Sequence, residues 1–437
     1  MKPVRRFSLS LSLSPSLPSS LPCIDYRPNL PFPPNHHLLR EQNLSLSPSL
    51  TRMTEITHLS SHLIELILSF LPIPSLIRAS TVCKLWYSII SSPTFSSITH
   101  PRSPHNQPWF FLYGFHNISS KNNQSFAFDP VSYRWLRLPT FSALQPQQQS
   151  ITSFIGTNGF FFTTAPKFCY ARTLNPLWRA TPPLHFPRTN PLLGVFTDGS
   201  DSSPKFIVVG GVKFIGNLVD IEERLDLEIY DPRSDSWELG PPLPADFRSG
   251  NSSSSLSSAL FGGRFYVLGI SSCFISSFDL RERVWSEVQT LRPPEVVFSF
   301  LIACREVLVL AGIRNAPLGP SFNLWKVDTK TMELSEISVM PHSLLYSLFD
   351  SDEDDNFASL KCVGLGDFIY VFNEDYHRVY PACLCEIDSK SGRCNWRGVP
   401  PLPLPVNKFH KVTSFCSTVS LHSILGERGH PALLQSA

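Results

Sequence analysis

The sequence predicts a mainly β protein, about six similar sheet units in series behind one small three-helix module. Two observations carry this. From about Pro108 onward the chain repeats an apolar strand, an Asp-type turn, a Trp and a proline run. Before that, Leu63, Ile64, Leu66, Ile67, Leu68, Phe70 and Leu71 crowd into one short segment, and at ~100° per residue they sweep roughly 200° of a helix surface.

A single small core needs a narrower stripe than that, so the first helix is expected to bury one side against its own neighbours and to offer the other to something else. Only His62, Glu65 and Ser69 form a polar sector. Ser60 can cap this helix. Pro74 can open a second at its first position. Ser80 or Thr81 can cap a third, carrying Val82, Leu85, Trp86 and Ile89, and Pro93 ends it. A module this short cannot bury much core alone, which is the mark of a docking element.

The segment from about Ile56 to Phe95 resembles an F-box. The resemblance rests on Leu59 opening the first helix, Ile67-Leu68 within it, the Leu71-Pro72 break, Leu76, then Val82-Cys83-Lys84-x-Trp86 and Ile89. Where the family usually reads Leu-Pro with an acid close behind, this chain reads Leu59-Ser60-Ser61-His62. The resemblance implies binding of a Skp-family adaptor and, through it, a cullin–RING ubiquitin ligase. The residues it implicates in adaptor binding are Leu59, Leu63, Ile67, Leu68, Leu71, Pro72, Leu76, Val82, Cys83 and Trp86.

The repeat reads Phe128-Asp129-Pro130…Trp135, Leu174-Asn175-Pro176-Leu177-Trp178, Ile229-Tyr230-Asp231-Pro232…Trp237, Phe278-Asp279…Trp285, Val327-Asp328…Leu334 and Ile387-Asp388…Trp396, each with prolines downstream. Asp or Asn starts a turn by hydrogen-bonding its own backbone. The Trp is a large apolar body for the space between sheets, and proline stops the strand. Upstream halves include Phe206-Ile-Val-Val-Gly210-Gly211 and Phe261-Gly262-Gly263-Arg264. Copies recur roughly every 50 residues, the period of kelch units. The pattern resembles the kelch repeat, which implies a kelch-type β-propeller of about six blades. The first copy lacks a strand, and Val412–Leu421 alternates apolar and polar residues, so the C-terminus is expected to return and complete blade one.

The expected organisation is a disordered Ser/Leu/Pro-rich leader over 1–52, the F-box over 53–98, a linker over 99–107, the propeller over 108–425 and a flexible tail over 426–437. A net charge of +2 gives no electrostatic footprint for nucleic acid or an anionic membrane. No apolar stretch is long enough to span a bilayer. Ten cysteines in a chain of 437 residues make no disulfide scaffold. Cys383, Cys385 and Cys394, near His377, lack a second paired motif and are read as reduced structural thiols with no metal. Reduced thiols point to the cytoplasm or nucleus.

No phosphate-cradling loop, nucleophile elbow or zinc-protease motif occurs, and His185, His342, His377 and His410 share no ligand spacing. The sequence therefore names no catalytic residue and no cofactor. The function expected is that of a non-catalytic substrate receptor, with a protein target of unknown identity held on the propeller; the alternative is a kelch-propeller enzyme or scaffold acting outside a ubiquitin ligase. The acid block Asp350-Ser-Asp-Glu-Asp-Asp355 between the fifth and sixth units is expected to be a solvated loop.

Overall fold

In the computed structural model, residues 59–95, 107–138, 154–247, 254–349 and 357–421 are described apart from short breaks, together with 435–436. The leader 1–52, most of the 99–107 linker and the 350–355 acid block lie outside the described residues.

Three helices come first: α1 (Ser61–Ser69), α2 (Ile73–Ser80) and α3 (Lys84–Ser91). Ser60 caps α1, its side chain accepting from the Leu63 amide at 3.3 Å. Pro72 precedes α2, and Pro74 sits in its first turn, where a missing N–H costs nothing. The cap of α3 differs from expectation. It is Cys83, whose sulfur accepts from the Trp86 amide at 3.5 Å, while Ser80 and Thr81 turn their hydroxyls back on Ile77 O and Arg78 O. Those two residues close α2, and Val82 falls in the turn before α3.

The rest is sheet. Blade one holds β1 (Pro108–Phe115), β2 (Gln124–Asp129) and β3 (Arg134–Leu138); blade two holds β4 (Phe154–Thr157), β5 (Phe160–Thr163), β6 (Cys169–Arg172) and β7 (Asn175–Ala180). Blade three opens with β8 (Leu192–Thr197) and β9 (Pro204–Val209). It then inserts a hairpin, β10 (Lys213–Ile215) and β11 (Leu218–Asp220), and resumes with β12 (Leu227–Asp231) and β13 (Ser236–Gly240). Blade four is β14 (Leu256–Phe261), β15 (Arg264–Gly269), β16 (Phe274–Asp279) and β17 (Gln289–Thr290). Blade five is β18 (Val296–Ala303), β19 (Leu308–Ala316), β20 (Gly319–Val327) and β21 (Leu334–Val339), followed by α4 (His342–Tyr346). Blade six is β22 (Leu360–Leu365), β23 (Phe368–Asn373), β24 (Ala382–Ile387) and β25 (Cys394–Gly398). The ring is a six-bladed propeller of antiparallel sheets.

Closure follows the alternation seen in the sequence. The strand β26 (Lys411–Thr418) pairs antiparallel with β1 along its whole length, from Pro108↔Thr418 to Phe115↔Lys411, and becomes the inner strand of blade one. A further short strand, β27 (Gln435–Ser436), pairs with Arg137 and Leu136 of β3. The end of the chain is thus not free at these two residues: the outer edge of β3 offers unpaired backbone groups, and the tail supplies partners for them.

The turn chemistry is regular. Asp129, Asp231, Asp279 and Asp328 each accept a backbone amide two residues on, at 2.8–3.0 Å. These bonds hold the Asp231, Asp279 and Asp328 carboxyls below the ordinary range. Four residues after each Asp the backbone turns left-handed, at Tyr133, Asp235, Arg283, Met332 and, after Asp388, Gly392. Blade two departs from the pattern. Arg172 pairs with Asn175, so Thr173-Leu174 is a two-residue turn and Asn175 opens β7 instead of starting the turn. Gly262 and Gly263, both at positive φ, form the equally tight β14–β15 turn.

Four of the five repeat Trp residues bond the preceding blade, three of them at a proline carbonyl, whereas the Trp178 indole N–H of blade two is buried without a partner. Trp135 Nε1 donates to Pro400 O of blade six at 2.7 Å, Trp237 to Pro182 O of blade two at 2.9 Å, and Trp285 to Pro241 O of blade three at 3.0 Å. In blade six, Trp396 donates to Ser338 Oγ of blade five at 2.8 Å. Each of these four indoles thus fills the gap to the preceding blade and satisfies its N–H on that blade's end. Trp285→Phe keeps most of the apolar body and loses the bond. We expect a loss of ~0.5–1.5 kcal/mol, read as a lower urea midpoint with an unchanged slope; no change would mean water replaces the clasp.

Candidate docking faces

Alternation of strands puts the turns between first and second and between third and fourth strands of a blade at one end of the ring. The second-to-third loops and the blade crossings fall at the other. The loop-bearing end carries the β10–β11 hairpin, the long β19–β20 hairpin and α4. Between the ends runs a channel of about 550 Å³, lined by the inner strands of all six blades, among them Phe154, Leu192, Leu256, Phe300, Cys362 and Thr413. Lys361, Glu374 and Lys411 also line it, with Lys361 Nζ 3.2 Å from Glu374. Burial pushes the Glu374 carboxyl up and the Lys411 ammonium down.

The helices lie against the tight-turn end. Pro74, Ser75 and Arg78 of α2 face Ser132, Tyr133 and Trp135 of the β2–β3 turn region across a cleft of about 510 Å³. Ile64, Leu68, Ile73, Leu76, Ile77 and Ile90 belong to one continuous apolar cluster with Trp109, Leu136, Phe415, Val419 and Leu421 of blade one and its closing strand. The module has no separate core of its own, because so short a helical segment cannot enclose one.

This packing sorts the ten residues implicated in adaptor binding. Leu63 and Ile67, four residues apart on one face of α1, are 45% and 54% exposed, and Leu59, just before the helix, is 40% exposed. Val82 is 64% exposed and Cys83 is exposed. Leu71, Pro72 and Trp86 are partly buried, Leu71 and Trp86 against the shared cluster. Leu68 and Leu76, at 1% and 0% exposure, face the interior, where they hold α1 and α2 against blade one. Leu66, Phe70, Leu85 and Tyr87 are exposed as well, Phe70 at 71%. The apolar sweep includes Leu66 and Phe70 but does not reveal which side of the helix the propeller covers.

Among the described residues no group of three or more His, Cys, Asp or Glu side chains is placed to hold a metal ion, and no helix is long and apolar enough to cross a membrane. Cys383 and Cys385 are fully buried beside one another in β24, with all described cysteines unbridged. Burial pushes the Cys304 thiol up to about 12 and the Cys383 thiol up to about 11, which keeps both protonated.

Comparison with known proteins agrees with this geometry. The F-box domain family matches residues 56–97. An F-box/kelch-repeat protein of Arabidopsis thaliana is 26% identical over 389 residues, spanning 85% of this chain and 92% of the relative. F-box only protein 13 of the same plant is 24% identical over 364 residues, spanning 74% of this chain and 76% of its own length. Protein UNUSUAL FLORAL ORGANS, also of Arabidopsis thaliana, is 24% identical over 377 residues, 78% of each chain. With an F-box at its start, relatives along most of its length and a six-bladed ring behind, this chain is an F-box/kelch-repeat protein of the substrate-receptor type.

Proposed function

We propose that the chain is the target-recognition subunit of a Skp–cullin–F-box-type ubiquitin ligase, working in the cytoplasm or nucleus. One observation carries the reading: within the matched F-box, α1 buries Ile64 and Leu68 against the propeller and leaves Leu59, Leu63, Leu66, Ile67 and Phe70 in solvent. So much apolar surface on one side of a short helix is a site for a partner, and a Skp-family adaptor is the partner an F-box takes. The adaptor recruits the cullin–RING subunits, which supply the chemistry. This chain contributes no reacting group; it holds a target protein near the transfer site and raises its effective concentration. The loop-bearing end of the ring, away from the helices, is the face left for that target.

The test is co-purification with a Skp-family adaptor, comparing the native chain with Leu63→Glu/Ile67→Glu. Both positions are solvent-exposed, so the variant should fold and melt as the native chain does. Two buried anchors at ~2 kcal/mol each correspond to roughly a thousandfold loss of affinity. Equal capture by native chain and variant would overturn the adaptor-binding reading.

A further inference from the structure

A thiol pair lies at the rim of blade six. Cys385 lies on β24 and Cys394 on β25, and the register pairs Cys385 with Trp396 and Ile387 with Cys394. Directly opposed residues share a face, so Cys385, Ile387, Cys394 and Trp396 all point to the same side of the sheet, toward blade five. The two cysteines are diagonal neighbours there. Their surroundings differ. Cys385 is fully buried, whereas Cys394 is partly exposed just past the Asp388 turn. Ser338 of blade five lies alongside, accepting from Trp396 Nε1 at 2.8 Å.

We propose that Cys394 and Cys385 form a peroxide-oxidisable pair, Cys394 reacting first and Cys385 closing a disulfide between β24 and β25. The Cys394 thiolate sulfur attacks one oxygen of hydrogen peroxide, the O–O bond breaks, and hydroxide leaves and takes up a proton. Sulfur is oxidised to the sulfenic acid while the peroxide is reduced to water. Cys385 then gives up its proton, its sulfur attacks the sulfenic sulfur, the S–O bond breaks and a second water departs. A dithiol reductant reverses the change.

Several features favour this order. The interaction with Cys385 holds the Cys394 thiol below its ordinary range, with Ser338 adding to the effect, while the same interaction and burial push Cys385 up. Cys394 is therefore the more readily ionised and the accessible member, and Cys385 the protected one. The strand that carries Cys394 can also move. Its one sheet neighbour is β24, so β25 can close the ~7–8 Å usual between diagonal residues toward the shorter span a disulfide needs. A bond closed in this way is strained and easily reduced.

The test treats the full-length chain with hydrogen peroxide and maps tryptic peptides without reduction. The expected product joins the peptide 379–390 to the peptide 394–397 and disappears on adding dithiothreitol. It should form before the exposed Cys83 is oxidised. Cys383 shares the first peptide, so Cys383→Ser should keep the link, Cys394→Ser should lose it, and Cys385→Ser should leave a sulfenic acid at residue 394 that dimedone traps. Oxidation of Cys83 with Cys394 untouched would overturn the proposal, as would sulfenic acid at Cys394 of the native chain with no linked peptide.

Discussion

A chain ending at Pro405 should not fold to a soluble, cooperatively melting protein, and it should lose adaptor capture as well. Removing β26 leaves β1 with an open edge over eight residues, from Pro108 to Phe115. It also strips Phe415, Cys416, Val419 and Leu421 from positions no more than 7% exposed. At ~1.5–3 kcal/mol for each large apolar side chain, the loss rivals the ~5–15 kcal/mol that holds a whole domain. The F-box cannot be spared, since Phe415, Val419 and Leu421 share one cluster with Ile64, Leu68 and Ile90. The shared cluster ties the helices to the ring and argues against their binding a partner independently of it. Size-exclusion chromatography, thermal melting and adaptor pull-down of the truncated chain check the point together. A soluble truncation that still captures adaptor would show that the helices stand without the closing strand.

Arg188→Met should be the most damaging single change in the ring. Arg188 and Glu228 are both fully buried, joined at 2.7 Å. The guanidinium also donates to Phe186 O, Gly210 O and Asp226 O at 2.7–3.1 Å, and the carboxylate accepts the amides of His185 and Phe186 at 2.8 and 3.2 Å. Together these bonds lock the crossing from blade two onto the start and end of the blade-three insert. Methionine fills much of the volume and removes the guanidinium donors, so the buried carboxylate keeps only the two amides and the His185 ring nitrogen at 3.0 Å, at a cost of ~3–5 kcal/mol. The double variant Arg188→Met/Glu228→Met, with no charge left to strand, should recover much of that loss. Urea denaturation of the two variants decides it: a double variant as unstable as the single would mean that the lost carbonyl contacts, not the stranded charge, dominate.

Much of the ring was legible before any coordinates because its signals are local. An Asx turn is made by one side chain and the amides just after it, so Asp129, Asp231, Asp279 and Asp328 announce their turns wherever they stand. Alternation over Val412–Leu421 marks a strand with two unlike faces, and the strand missing from blade one gives it a place to go. The left-handed residues four positions after each Asp escaped notice, since Tyr133, Asp235, Arg283 and Met332 carry no glycine to flag them. They are held there by the backbone bonds that close each loop, as Arg283 N to Asp279 O and Met332 N to Asp328 O show.

What the sequence determined by itself was the inventory: an F-box-like helical segment, six proline-punctuated units of which five carry the repeat Trp, and a C-terminal strand to close them. Local sterics and periodicity encode all of that within a few dozen residues. Tertiary structure alone decided which apolar residues face out. A helix apolar on two sides reads the same whichever side is covered, and blade one covers the side of Ile64 and Leu68, leaving Leu63 and Ile67 to a partner. It alone also decided that Trp and proline residues of neighbouring blades clasp one another, because these bonds join residues 44, 55 and 265 positions apart and only the packing and closure of the ring bring them together.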